Sequence, residues 1–110
     1  MYQAAVLNSN KINPYLANQI LHSSPEQILI KIFDFAVVHS EKKDMIKTNT
    51  AIQELIGLLR FDDDSYKDLA INLIGLYQYC QDQARKNNFD LVTKILTELR
   101  ESWLKAIQNK

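Results

Sequence analysis

The sequence predicts an all-α protein, an antiparallel four-helix bundle with an N-terminal segment packed against it as a cap. Three observations support this fold class. The 110 residues include only two Gly and two Pro, too few for the many turns of a sheet protein. Apolar residues recur at spacings of three and four in four separate stretches. The connections between these stretches are short, which is typical of antiparallel helices.

The first predicted helix has a strong start signal at Ser24. A Ser side chain at this place can accept a hydrogen bond from the backbone N–H of Gln27, and the Gln27 side chain can reach back. Pro25 suits the first helical position, where its missing N–H would have no partner. The helix is predicted to run to about Lys43. Its apolar stripe is wider than one face and consists of Ile28, Leu29, Ile30, Ile32, Phe33, Phe35, Ala36, Val37 and Val38.

Three more helices are predicted, over residues 44–60, 65–86 and 91–108. The Asp run at residues 62–64 favours a turn and a cap before the third helix, and Asp90 is the predicted N-cap of the fourth. Tyr77 and Tyr79 cannot share one seam, so one is expected in the core and the other partly exposed. The buried seam of the third helix is predicted to contain Tyr66, Leu69, Ala70, Leu73, Tyr77, Cys80 and Ala84.

We expect residues 1–110 to form a single domain, with residues 24–108 as the bundle and residues 1–23 as the cap. The N-terminal segment is too apolar for a solvated tail, so we expect it to fold back over a groove between helices. Its apolar residues are Tyr2, Val6, Leu7, Tyr15, Leu16, Ile20 and Leu21.

Composition argues against several classes of function. Thirteen Lys and Arg balance thirteen Asp and Glu, without the basic excess that is typical of nucleic-acid binders. No apolar run approaches the ~20 residues that cross a bilayer, and the N-terminus does not resemble a secretory signal. The single Cys80 cannot form an internal disulfide, which fits a reducing compartment. We therefore expect a cytoplasmic protein that binds no nucleic acid and does not insert into membranes.

The sequence also offers no catalytic, cofactor or metal site. His22 and His39 are the only histidines, and no Glu-x-x-His pair of the kind found in ferritin-like bundles is present. The Asp run at residues 62–64 lacks the alternating ligands and the glycine of a calcium loop. Cys80 is expected to be a small core residue. We therefore expect a protein that is not an enzyme.

The candidate binding residues are the apolar positions that exceed what four helices need, together with Asp34. A carboxylate between Phe33 and Phe35 is costly to bury without a partner. It is expected either to bond Arg85, Arg100 or a backbone group, or to contact a partner protein. Trp103 is expected to plug the core near a bundle end. The candidate binding or cap residues are Val6, Leu7, Tyr15, Ile20, Ile30, Asp34, Val37, Leu58, Leu76 and Tyr79.

Three stretches of the chain resemble the flagellar secretion chaperone family, FliS. They are "YLANQILHSSPEQILIKIFDFA" at residues 15–36, "NLIGLYQYC" at residues 72–80 and "LTELRESWLKAI" at residues 96–107. Phe33 and Phe35 stand where the family commonly has Tyr and Gly, and Cys80 stands where it commonly has Met. The resemblance is to a divergent member whose first helical hairpin is shortened.

The resemblance implies a cytoplasmic, non-enzymatic export chaperone. Such a protein binds the disordered C-terminal segment of flagellin, prevents premature polymerisation and assists flagellar secretion. Export-gate or regulatory proteins of the flagellar system are further candidate partners. The alternative is a helical-bundle adaptor of the same lineage that binds a different protein. Both functions need apolar grooves for a partner helix and require no cofactor.

Overall fold

The computed structural model describes residues 24–109, and these residues form four α-helices without a strand among them. The predicted cap, residues 1–23, lies outside the described residues. In chain order the helices are α1 (Pro25–Glu41), α2 (Met45–Gly57), α3 (Lys67–Arg85) and α4 (Phe89–Gln108). The predicted all-α architecture of four helices is confirmed.

Each helix packs against two others in a ring that follows the chain. α1 contacts α2 and α4, and α3 contacts the same two helices from the other side. The antiparallel course of α1 and α4 is fixed by two contacts. The hydroxyls of Ser40 and Thr93 are hydrogen-bonded at 2.6 Å, and Arg100 donates to Asp34 further down the pair.

The start of α1 is the predicted capping box. The backbone N–H of Gln27 donates to Ser24 Oγ at 3.2 Å, and the backbone N–H of Ser24 donates to Gln27 Oε1 at 3.0 Å. The start of α2 is capped by Asp44, whose carboxylate accepts from the backbone N–H of Lys47 at 3.0 Å. Both caps satisfy amide groups that a helix terminus leaves without an intrahelical partner.

The two three-residue connections end their helices in the same way. Lys43 and Asn87 have positive φ values, 58° and 66°, just after α1 and α3. In each connection two backbone N–H groups turn back to carbonyls of the last helical turn, from residues 43 and 44 after α1 and from residues 87 and 88 after α3. These two hydrogen bonds reverse the chain sharply and satisfy the last carbonyls of the helix.

Three predicted helix boundaries are corrected. α2 ends at Gly57 rather than near residue 60, and α3 begins at Lys67 rather than residue 65. The Asp63 carboxylate accepts from the backbone N–H of Ser65 at 2.9 Å, so the Asp run stabilises the turn and does not cap α3. α4 begins at Phe89 with Asn88 at its N-cap position, so the predicted cap Asp90 already lies inside the helix.

The core runs along the centre of the ring and contains one polar clamp. Gln81 is buried on α3, and its Nε2 donates to the carbonyl of Asn49 at 3.3 Å and to Gln53 Oε1 at 3.2 Å. Asn49 Nδ2 in turn donates to the Gln81 carbonyl at 3.1 Å, which fixes the register of α2 against α3. The largest side chains that are fully buried are Tyr77, Phe33, Ile52, Leu55, Leu96 and Val92.

Candidate protein-binding surface

An apolar cavity of about 530 Å³ opens at one end of the bundle. At this end α1 and α3 begin, and α2 and α4 finish. We call it the end cavity. Its apolar lining consists of Pro25, Leu29, Leu55, Leu58, Leu59, Tyr66, Leu69, Ala70, Leu73, Tyr77, Trp103, Ala106 and Ile107.

The end cavity exists because the four helices differ in length. α2 has 13 residues and α4 has 20, which correspond to about 20 Å and 30 Å of helix. The last turns of α4, with Trp103 and Ile107, therefore extend past the point where α2 stops. The connection at residues 58–66 crosses this region without forming a helix. The apolar residues of the neighbouring helices thus line a hollow at this end. No helix among residues 24–109 covers them on the side where α2 has ended.

The rim of the end cavity carries two apolar residues that the sequence placed in the core. Tyr66 is 54% exposed and Leu69 is 48% exposed. Both have the helical spacing of a buried seam, but they lie at the start of α3, level with the part of the bundle where α2 has ended. This prediction was wrong because periodicity reports the direction in which a side chain points. It does not report whether the neighbouring helix is long enough to cover that side chain. Phe61, in the same connection, is also exposed.

Tyr77 and Trp103 form the floor of the end cavity. Tyr77 is fully buried, its ring lies 6.4 Å from that of Phe33, and burial raises the pKa of its hydroxyl to about 12. The neighbouring Trp103 side chain acts in the opposite direction on that pKa. Trp103 is partly buried against the core, so the expected core plug is present and also faces the cavity. The prediction that only one of Tyr77 and Tyr79 is buried is confirmed.

A second groove, of about 660 Å³, runs between α1 and α4. Ile30, Leu104 and Ile107 supply its apolar part, and Asp34 lies on its edge. The carboxylate of Asp34 is exposed and pairs with Arg100, which also bonds Glu101 at 3.0 Å. The hydrogen bond from Arg100 to Asp34 raises the pKa of the guanidinium above its ordinary value.

The bond between Asp34 and Arg100, one of the predicted alternatives, is therefore present, and the carboxylate that makes it is exposed. The α1–α4 groove is open to solvent at this level, so the charge keeps its hydration. An exposed pair of this kind contributes about 0–1 kcal/mol to stability. Its clearer effect is to set the register of α1 against α4.

The predicted binding residues do not form one site. Val6, Leu7, Tyr15 and Ile20 lie outside the described residues. Leu58 lines the end cavity, whereas Ile30 and Asp34 line the α1–α4 groove.

The remaining predicted residues lie elsewhere. Val37 is partly buried and packs against the core, and Leu76 is half-buried on α3. Tyr79 is exposed on the outer side of α3, beside a shallow depression at Gly75. The sequence predicted that the chain has surplus apolar surface, but it did not predict where on the bundle that surface lies.

The prediction missed most of the residues that build the end cavity. Leu59, Tyr66, Leu69, Trp103 and Ile107 line it, although their spacing is typical of core positions. A usable signal was present in the sequence, since Gly57 is a weak helix former and the Asp run follows a few residues later. Together these residues indicate a short α2, and a short helix in a bundle leaves its longer neighbours uncovered.

Residues 24–109 bear on two kinds of chemical site, a metal site and a reactive thiol. No group of three His, Cys, Asp or Glu residues among residues 24–109 could hold a metal ion. Cys80 is fully buried, and burial raises the pKa of its thiol to about 11, so a thiolate is disfavoured there. Between residues 24 and 109 no helix combines the length and the apolar character needed to cross a bilayer.

The chain was compared with protein-family models, with curated proteins and with solved structures, and none of the three comparisons returned a match.

Proposed function

We propose that this chain is a non-enzymatic export chaperone of the FliS type, which binds the C-terminal segment of flagellin in the bacterial cytoplasm. Binding would keep that segment from polymerising early and would present the subunit for flagellar secretion. The protein so bound is called the client below. Support comes from the three stretches of resemblance, taken in order along the chain, and from the physical character of the end cavity.

The observation that carries the proposal is the open end cavity with large apolar side chains at its rim. Tyr66 and Leu69 are exposed there, and the lining behind them is almost entirely apolar. A bundle gains nothing for its own stability from apolar side chains left in water. A partner that covers them gains ~25 cal/mol for each Å² of apolar surface removed from water.

The geometry suits an amphipathic helix better than a small polar ligand. The α1–α4 groove continues the apolar surface from Ile107, which lines both the groove and the end cavity. A helix recognises such a surface through side chains spaced three and four apart. A client that is disordered when free loses about 2–5 kcal/mol to ordering, so it can be held and still be released.

The proposal is tested by isothermal titration calorimetry of the full chain with a synthetic peptide of the flagellin C-terminal segment. A scrambled peptide of the same composition is the control. We expect binding of the native peptide with a heat-capacity change that is negative, because apolar surface is buried. Saturation should also raise the unfolding free energy, by about 2.7 kcal/mol when the free peptide reaches 100 times its Kd.

If the native peptide releases no heat at any temperature and leaves thermal unfolding unchanged, the proposal fails. The alternative, an adaptor of the same lineage with a different protein partner, would then take its place. The short α2 favours that alternative to this extent: α2 forms one wall of the end cavity, and the resemblance is to a family whose first helical hairpin is longer.

A further inference from the structure

The two ends of the bundle differ in charge. At the end with the cavity, residues 60–68 contain four carboxylates and two cations. At the opposite end, residues 41–44 and 85–90 contain four cations and three carboxylates. The chain as a whole is neutral, with thirteen charges of each sign. The negative excess at residues 60–68 is therefore a local feature and does not follow from the net charge.

The acidic residues lie in the connection between two residues that line the end cavity. Arg60 and Tyr66 both line it, and the Asp run at residues 62–64 connects these two lining residues. The carboxylate of Asp63 is engaged by the backbone N–H of Ser65. Asp62 and Asp64 are exposed. Within the lining itself, Glu26 and Arg60 contribute one charge of each sign, so the negative excess at this end comes from the adjoining connection.

We propose that the occupant of the end cavity is an amphipathic helix of the client with Lys or Arg beside its apolar face, at the end that lies over residues 62–64. This inference rests on the proposed function and names the chemistry of its partner. The apolar face fills the hollow between Leu69 and Trp103, and the cations lie against Asp62 and Asp64. The complementary charges accelerate encounter and fix the direction in which the helix lies.

Direction follows from the asymmetry of the bundle. A helix inserted the other way would turn its cations away from the Asp run. Like charges placed together at an interface disfavour the wrong arrangement, and opposite charges fix the register. The apolar lining supplies affinity for either direction, and the acidic connection selects one of them.

The test uses two synthetic amphipathic peptides with the same apolar face, one flanked by two Lys and the other by two Glu. Each is titrated into the full chain and into the double variant Asp62→Asn/Asp64→Asn. We expect the wild type to bind the Lys peptide more tightly, and the double variant to lose roughly 2- to 30-fold in that affinity at low salt, the range for two exposed ion pairs. At ~1 M salt the difference should vanish, since the screening length falls to about 3 Å.

The matched control is Glu41→Gln/Asp90→Asn, which removes two exposed carboxylates at the opposite end of the bundle. It should leave the preference for the Lys peptide unchanged. Circular dichroism of each variant verifies that the bundle is folded. Equal affinity of the wild type for both peptides would overturn the inference, and so would equal effects of the two double variants.

The flagellin peptide is titrated in the same series, so the two proposals can fail separately. If the flagellin peptide binds but the Lys and Glu peptides bind equally well, only the inference about charge is refuted. If the chain prefers the Lys peptide but does not bind the flagellin peptide, only the identity of the client as flagellin is refuted. Light scattering tests whether a second copy of the chain occupies the end cavity. A concentration-dependent dimer that Asp62→Asn/Asp64→Asn abolishes would mean contact between an acidic and a basic end, and would overturn the inference.

Discussion

Replacing Leu69 by Ala should weaken client binding, whereas replacing Ile71 by Ala should not. Both residues lie on α3, two positions apart, and they are almost equally exposed, at 48% and 50%. Leu69 lines the end cavity, and Ile71 is not part of the lining. The pair therefore separates burial by a partner from the effects that the two substitutions share, such as the loss of an exposed aliphatic side chain on α3.

The size of the effect follows from the exposure. Burying a whole Leu side chain contributes ~1.5–3 kcal/mol. About half of the Leu69 side chain is already covered in the free protein, so an occupant can bury the other half. Truncation should therefore cost about 0.7–1.5 kcal/mol of binding free energy, which corresponds to a Kd about 3- to 12-fold larger.

Titration calorimetry of the flagellin peptide with both variants measures this difference directly. The heat-capacity change should also become less negative for Leu69→Ala, because less apolar surface is removed from water. Thermal unfolding of the free proteins checks that both variants retain the fold. Equal affinities for the two variants would refute the reasoning, since the end cavity would then not be the surface that the client covers.

Three further predictions concern the free protein. Gly75→Ala should raise the unfolding free energy by about 0.5–1 kcal/mol in urea denaturation, because a Cβ there meets nothing within 4 Å and Gly is a poor residue for a helix interior; a loss would mean that Gly75 is not freely exposed. Thr48→Val should stabilise by roughly 1 kcal/mol, since the buried hydroxyl has no hydrogen-bond partner among residues 24–109; destabilisation would indicate a partner elsewhere in the chain. Stability should fall as the pH rises from about 9 to 12. In the folded chain the pKa of Cys80 is raised to about 11 and that of Tyr77 to about 12. The unfolded chain therefore loses these protons at lower pH than the folded chain does, and deprotonation favours unfolding. Cys80→Ala should remove the part of this fall that begins near pH 9, and an unchanged curve would contradict the assignment.

Local signals and helical register were readable from the sequence. The capping box at Ser24 depends on residues three apart, so no knowledge of the tertiary structure is needed. The bond between Asp34 and Arg100 was one of the predicted alternatives, because short connections make α1 and α4 antiparallel neighbours. The burial of Tyr77 and the exposure of Tyr79 follow from their positions on α3 alone.

The location of the surplus apolar surface was not readable in the same way. Tyr66 and Leu69 have the spacing of core residues, and they would be core residues if α2 continued for two more turns. Whether it does depends on the balance between apolar residues 58 and 59, which favour continuation, and Gly57 with the Asp run, which favour an end. A hydrophobic pattern records the direction of each side chain, and a cavity arises from the lengths of the neighbouring helices.

The contacts that join the helices and the proposed binding surface lie at opposite ends of the bundle. The polar contacts that join different helices in its interior lie towards the basic end, namely the pair of Ser40 with Thr93 and the clamp of Gln81 on Asn49. The two sharp chain reversals lie at that end as well. The end cavity lies at the other end, where apolar side chains line a hollow and the connection at residues 58–66 forms no helix. A partner can therefore insert at the acidic end without breaking the contacts that hold the four helices in register. For the same reason, substitutions at Ser40 or Gln81 should change unfolding without changing affinity, which is the reverse of the pattern expected at Leu69.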